Sequence, residues 1–239
     1  MQNPEFNSGV IRPIEVYKEA WELMKDQYWM IFAVTLLGML IGSVIPIVII
    51  GPMICGIYLC MLDKMERREV QIETLFKGFE YFAPSLLVAV VVMVPVFIMI
   101  FTIYVPMIAM AVAGPRMSES ELMPFLLGTI VFEVVAAIVM VCLHTLLIFA
   151  FPLIVDRKLS GFQAMKTSAR AVWHNLGGVV GLFGVGFVVV LIGYLMLCIG
   201  VYLVLPLMLM STMVAYRKVF PPMSPQYGMP PPPTAYPGI

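Results

Sequence analysis

Four long apolar runs, Met30–Leu62, Phe82–Ala113, Leu122–Val155 and Leu176–Tyr216, leave this chain few folds to choose from. A helix needs about 20 residues to cross roughly 30 Å of hydrocarbon, and each run exceeds that length. A protein with 62% hydrophobic and 12% charged residues is far from the make-up of a water-soluble domain, about 45–50% apolar and about 25% charged. The expected fold is therefore all-α, a polytopic transmembrane helical bundle.

Run length and helix breakers set the number of crossings. The first run, at about 33 residues, is long for one span and short for two. Pro46 and the pair Gly51-Pro52 interrupt its middle, so it reads as a tight hairpin, either spanning or re-entrant. The last run, at about 40 residues, reads as two spans turning near Cys198–Gly200. Val131–Ala150 contains no Gly or Pro and predicts one continuous helix. Parity then makes Phe82–Ala113 a single crossing kinked at Pro95 and Pro106. Six spans result. Both middle segments are overlong, which predicts tilt or projection beyond the membrane.

Charge tests the count. With six spans, one side holds Arg12, Lys18, Lys25, Lys64, Arg67, Arg68, Lys77, Arg157, Lys158, Lys166, Arg170, Arg217 and Lys218; the other holds only Arg116. The positive-inside rule then puts both termini in the cytoplasm of a multi-pass cell (inner) membrane protein. Treating the first run as one span weakens the bias, whereas eight spans would keep it, so charge alone leaves six and eight both open. The first 29 residues are rich in charge and lack an early apolar region, so a cleavable signal peptide is not expected. The chain divides into residues 1–29, a cytosolic segment; 30–219, the bundle; and 220–239, a Pro-rich, disordered cytosolic tail. That tail is either passive or a ligand for an aromatic groove.

The connectors predict amphipathic interfacial helices on the cytosolic side. Ile14, Tyr17, Trp21, Met24 and Tyr28 recur at spacings of three and four, with Pro13 at the first helical position. The alternative is a helix packed on the other spans. In Asp63–Tyr81, Ile72, Leu75, Phe76 and Phe79 form a stripe after a solvated charge run. Arg67 and Arg68 there could meet a lipid phosphate, although Glu66 and Glu69 oppose it. In Leu159–Asn175, Ser160 with Gln163 matches a capping box, and Phe162, Met165, Ala169 and Val172 share a face. Trp21, Trp29 and Trp173 are all expected at headgroup depth. Gly38–Gly42 and Gly177–Gly181 have GxxxG spacing, which lets helix backbones approach. A weak repeat, Ile14–Arg68 and Phe162–Lys218, suggests pseudo-symmetry.

Chemistry has few places to sit. Cys55, Cys60, Cys142 and Cys198 lie inside apolar runs and read as small buried hydrophobes. Glu133 and His144 are the ionisable residues that stand out within the spans. Eleven residues apart, they share a helix face at a separation of about 16 Å, too far for a direct pair. They mark either an ion or proton path or, respectively, a residue near the outer interface and a bond to a neighbouring helix. No nucleophile–base set, metal-ligand cluster or cofactor-binding loop is legible, so no enzyme activity, metal or cofactor is expected. Zero formal net charge gives no support for nucleic-acid binding.

The motifs Pro152-Leu-Ile-Val-Asp156-Arg157, Ala164-Met-Lys-Thr-Ser168, Trp173-His-Asn175 and Leu75-Phe-Lys-Gly78-Phe79 give the chain a likeness. It resembles a broad group of bacterial six-span membrane proteins, similar to the membrane domain joined to some glycerophosphoryl diester phosphodiesterases. Those proteins' catalytic barrel and metal-binding acids have no counterpart here, so no catalytic residue is carried over. The resemblance implies a bacterial inner-membrane location and a non-catalytic domain over roughly residues 10–218. Asp156, Arg157, Ser160, Ser168 and Asn175 are then interfacial or structural positions. The expected work is organising membrane lipids or partner proteins, including further copies of itself; the alternative is a small-solute or ion transporter using Glu133 and His144.

Overall fold

The computed structural model describes residues 6–113, 118–196 and 199–222. It is all-α among those residues, with six helical stretches long and apolar enough to cross a membrane: a polytopic membrane protein. Arg116, Cys198 and the Pro-rich tail from residue 223 onward lie outside the described residues.

The first run folds as the hairpin α2 (Tyr28–Val44) and α3 (Pro46–Met65), preceded by α1 (Pro13–Met24) and the 3-10 segment Lys25–Gln27. Only one of the two predicted breakers turns the chain. Pro46 opens α3, where a missing N–H costs nothing, whereas Gly51-Pro52 lies inside α3 without ending it. Gly51 and Gly56 are used for close approach instead. A Cβ on Gly51 would meet the Ser85 carbonyl oxygen at 2.8 Å, and one on Gly56 would overlap the Leu75 carbonyl. Thus α4 (Ile72–Phe76) and the 3-10 turn Lys77–Tyr81 lie directly across the α3 backbone. Of the predicted stripe there, Leu75 is buried while Ile72, Phe76 and Phe79 are exposed, because contact is made by backbone and Gly78 rather than by the aromatic rings.

Helix α5 (Phe82–Ala113) carries Pro95 and Pro106 without interruption, and α6 (Glu119–Leu146) returns beside it. At 1.5 Å per residue these helices run about 48 and about 42 Å, well over the hydrocarbon thickness. The predicted unbroken helix through Val131–Ala150 is corrected: α6 stops at Leu146, and α7 (Ala150–Arg157) begins after a three-residue turn. The break falls just before Pro152, which has no N–H to offer the Ile148 carbonyl, and a hydroxyl from another helix bridges it, as described below. After a left-handed Lys158 come α8 (Gly161–His174), α9 (Leu176–Leu195) and α10 (Ile199–Val219).

Packing is concentrated at one end. Phe149, Leu153 and Ile154 of the α7 region, Met53, Ile57 and Met61 of α3, and Met210, Met213 and Tyr216 of α10 form a fully buried core. By contrast α5 and α6 expose Phe101, Tyr104, Leu127, Val131 and Val135 around most of their length. Such side chains suit lipid, so burial beyond the core end is unnecessary.

The amphipathic faces are rotated from their predicted positions. Helix α1 buries Val16, Tyr17, Ala20 and Met24 against α9 and α10, and leaves Ile14 and Trp21 outside. The stripe is therefore shared between a bundle-facing half and an outward half. Helix α8 buries Gly161, Ala164, Ser168, Ala171 and Val172, while Phe162 is 68% exposed. Small residues face inward there because α8 packs closely on α5, α6 and α7. The repeat is not matched in this packing: α1 docks on the α9–α10 hairpin of the other copy, whereas α8 docks on α5–α7. The two glycine pairs also differ. Gly38 and Gly42 meet Ile57 and Ile50 of α3, but Gly177 faces open space, and Gly178 and Gly181 instead receive Ile11 and Pro13.

Candidate functional site

The richest polar constellation lies where the connectors meet. Asp156 lies in the last turn of α7, and its carboxylate accepts from the Tyr216 hydroxyl at 2.5 Å and pairs with Arg217 at 3.0 Å. Arg217 also reaches Glu66 at the end of α3, at 3.5 Å. Arg157 donates to the Pro221 carbonyl at 2.8 Å and lies over the Phe220 ring, 5.8 Å from its centre. Its Nε is 3.6 Å from Asp156, close enough for attraction but too long for a hydrogen bond, and has no other partner among the described residues. The side chains of Asp156, Arg157 and Arg217 are only 14%, 10% and 13% exposed. One carboxylate thus joins two guanidiniums from different helices, with Glu66 completing the charge balance. The arrangement clamps α3, α7 and α10 together.

Ser168 and Asn175 act on backbone breaks. Where α6 stops, the Leu146 carbonyl has lost its helical N–H, because Ala150 N–H bonds Leu147 instead, at 2.9 Å. The Ser168 hydroxyl donates to that Leu146 oxygen at 2.7 Å and accepts the Phe149 N–H at 3.1 Å. One fully buried hydroxyl therefore satisfies both sides of the break. Asn175, between α8 and α9, accepts the Gly9 N–H at 2.7 Å and donates to the Asn7 and Ala171 carbonyls at 3.0 and 2.9 Å. Asn7 N–H in turn donates to Val219 at 2.8 Å. Together these bonds stitch the N-terminal segment across the ends of α8 and α10.

Other sequence-predicted residues are dispersed. Ser160 precedes α8, but its exposed hydroxyl makes no capping bond, so the predicted capping box is absent. Close packing of Gly161 on Pro84 and Leu87 holds that helix start instead. His144 contacts the Met140 carbonyl of its own helix at 2.9 Å, which corrects the expected bond to a neighbouring helix. Glu133 keeps one buried carboxylate oxygen without a hydrogen-bond partner among the described residues. Trp21, Trp29 and Trp173 are 46%, 70% and 69% exposed. Cys55 and Cys60 are buried free thiols, while Cys142 is exposed.

A groove of about 440 Å³ runs between α5 and α6, walled by Phe101, Val105, Pro106, Pro124, Phe125 and Phe132. Its polar side chains, Thr102 and Thr129, both donate to carbonyls of their own helices, at 3.0 and 2.9 Å. Among the described residues no three His, Cys, Asp or Glu side chains converge as a metal site would require. A second cleft, missed in the sequence, opens at the α1–α2 turn and is lined by Trp21, Lys25, Asp26, Tyr28, Trp29 and Glu69. The spacing of Trp21, Tyr28 and Trp29 was visible; the approach of Glu69, from another connector, was not. No protein family, curated protein or solved structure matches this chain.

Proposed function

We propose that this protein is a non-catalytic, multi-pass protein of a bacterial inner membrane that organises lipids or partner proteins at its cytosolic face. The observation that carries the reading is the division of the molecule. A clamped core with polar connectors occupies one end, and from it project α5 and α6, apolar on nearly all sides, with an apolar groove between them. Such a body offers lipid and other helices a large surface, and its groove presents acyl-compatible walls rather than a polar path. The cation-rich connectors lie at the core end, and the positive-inside rule assigns that end to the cytosol. The likeness to bacterial six-span membrane domains is part of the same proposal.

Lipids and proteins that copurify with the full chain, identified by mass spectrometry, test it. Retained lipid or a recurrent membrane partner is the expected result; their absence in several mild detergents would overturn the reading. A second reading, proton-coupled transport, is favoured by the unpartnered oxygen of Glu133. Proton flux in proteoliposomes that Glu133→Gln abolishes would establish it over the first.

A further inference from the structure

The turn between α1 and α2 opens a cleft of about 620 Å³, closed on its other side by Glu69 and Val70 of the α3–α4 connector. That volume lies within the range of small-molecule sites, roughly 300–1,000 Å³. Three aromatic side chains line it. Tyr28 is at the centre, its ring 5.8 Å from that of Trp21 and 5.3 Å from that of Trp29. The Tyr28 hydroxyl donates to the Leu203 carbonyl at 2.7 Å, which fixes the middle ring against α10. Both indoles are exposed, Trp29 more than Trp21.

The charges around the cleft cancel except for one. Lys25 pairs with Glu22, and Asp26 pairs with Lys64 at 2.6 Å. Glu69 is exposed and has no ion-pair or hydrogen-bond partner among the described residues. A free carboxylate lining the same cleft as aromatic rings is complementary to an organic cation: ring faces carry negative quadrupole density, and the carboxylate supplies full counter-charge. Trp29 and Met30 lie in the first turn of α2, a candidate span whose outer side chains, such as Leu40 and Val44, are exposed and apolar. The cleft therefore opens where charged surface gives way to hydrocarbon-compatible helix, the level at which Trp and Tyr rings concentrate.

We infer that this cleft binds the ammonium headgroup of a bilayer phospholipid, with Glu69 as counter-ion and Trp21 and Trp29 as ring platforms. The inference rests on the lipid-organising reading and names the headgroup chemistry it selects.

The full chain carrying Trp173→Phe has Trp21 and Trp29 as its remaining indoles and reports on the cleft by fluorescence. It is placed in nanodiscs of phosphatidylglycerol with a rising fraction of phosphatidylethanolamine. The expected result is a saturable change in emission. Glu69→Gln, and separately Trp29→Ala, should raise the half-saturating fraction roughly three- to tenfold, the scale of one partly exposed cation–π or ion-pair contact. Emission that ignores headgroup, or unaltered curves in both variants, would overturn the inference. Saturation by free ethanolamine at matched concentration would overturn the assignment to lipid. If lipid is retained without headgroup preference, this inference fails while the lipid-organising reading stands; if neither lipid nor a recurrent partner is retained, the broader reading fails first.

Discussion

Replacing Ser168 with alanine removes one oxygen atom but strips two backbone groups of their partner. The Leu146 carbonyl and the Phe149 N–H flank a turn beside fully buried Phe149 and Ala150, where water is not at hand to replace the hydroxyl. A buried group left unsatisfied costs about 1–3 kcal/mol, so two together should cost about 2–4 kcal/mol after modest relaxation. For a chain of 239 residues a loss of that size lowers the unfolding midpoint by roughly 5–10 °C. Thermal unfolding of the purified protein in one fixed detergent, followed by tryptophan emission, reads the shift directly. Thr167→Ala, one position away on the same helix and outside the break, is the control and should change the midpoint by less than about 2 °C. An unchanged midpoint for Ser168→Ala would refute the reasoning. It would mean that α6 and α7 rejoin without the hydroxyl, with Ala150 N–H returning to the Leu146 carbonyl.

Asn175→Ala should release the N-terminal segment at a cost of about 1–3 kcal/mol, because Gly9 and Asn7 lose their partner; faster proteolysis within residues 6–12 of the folded protein is the readout. Asp156→Ala leaves Arg157 and Arg217 together in a site where each is about nine-tenths buried, and should destabilise by about 3–5 kcal/mol. Tyr216→Phe removes only a hydrogen bond to the same carboxylate and should cost about 1.5–3 kcal/mol, so chemical or thermal unfolding should rank the two variants in that order. Gly56→Ala forces the α3 backbone away from Leu75 and should abolish accumulation of folded protein, measured by size-exclusion chromatography. Gly128→Ala, with open space around it, should be tolerated and gain up to about 1 kcal/mol of helix propensity.

Amino-acid order alone determined the solvent in which this protein folds. Apolar runs of bilayer length, interrupted by charged connectors, admit helices because helices satisfy their own backbone within hydrocarbon. The six candidate spans, the end of α9 at Leu195 with α10 starting at Ile199, and the persistence of α5 through Pro95 and Pro106 follow from run length and parity. What only the tertiary structure decided is which side of each helix faces inward and where helices stop. Pro46 turns the chain and Pro52 does not end α3, whose Gly51 and Gly56 pack closely against Ser85 and Leu75. The α6–α7 break comes before Pro152 rather than at it, and the hydroxyl that bridges it is from Ser168, 22 residues away from Leu146. Asp156 meets Arg217, and through it Glu66, by the same logic: three distant segments share one buried charge balance. Local propensity and hydrophobic length act along the chain, whereas packing and polar satisfaction act across it, and a linear pattern carries no record of the second.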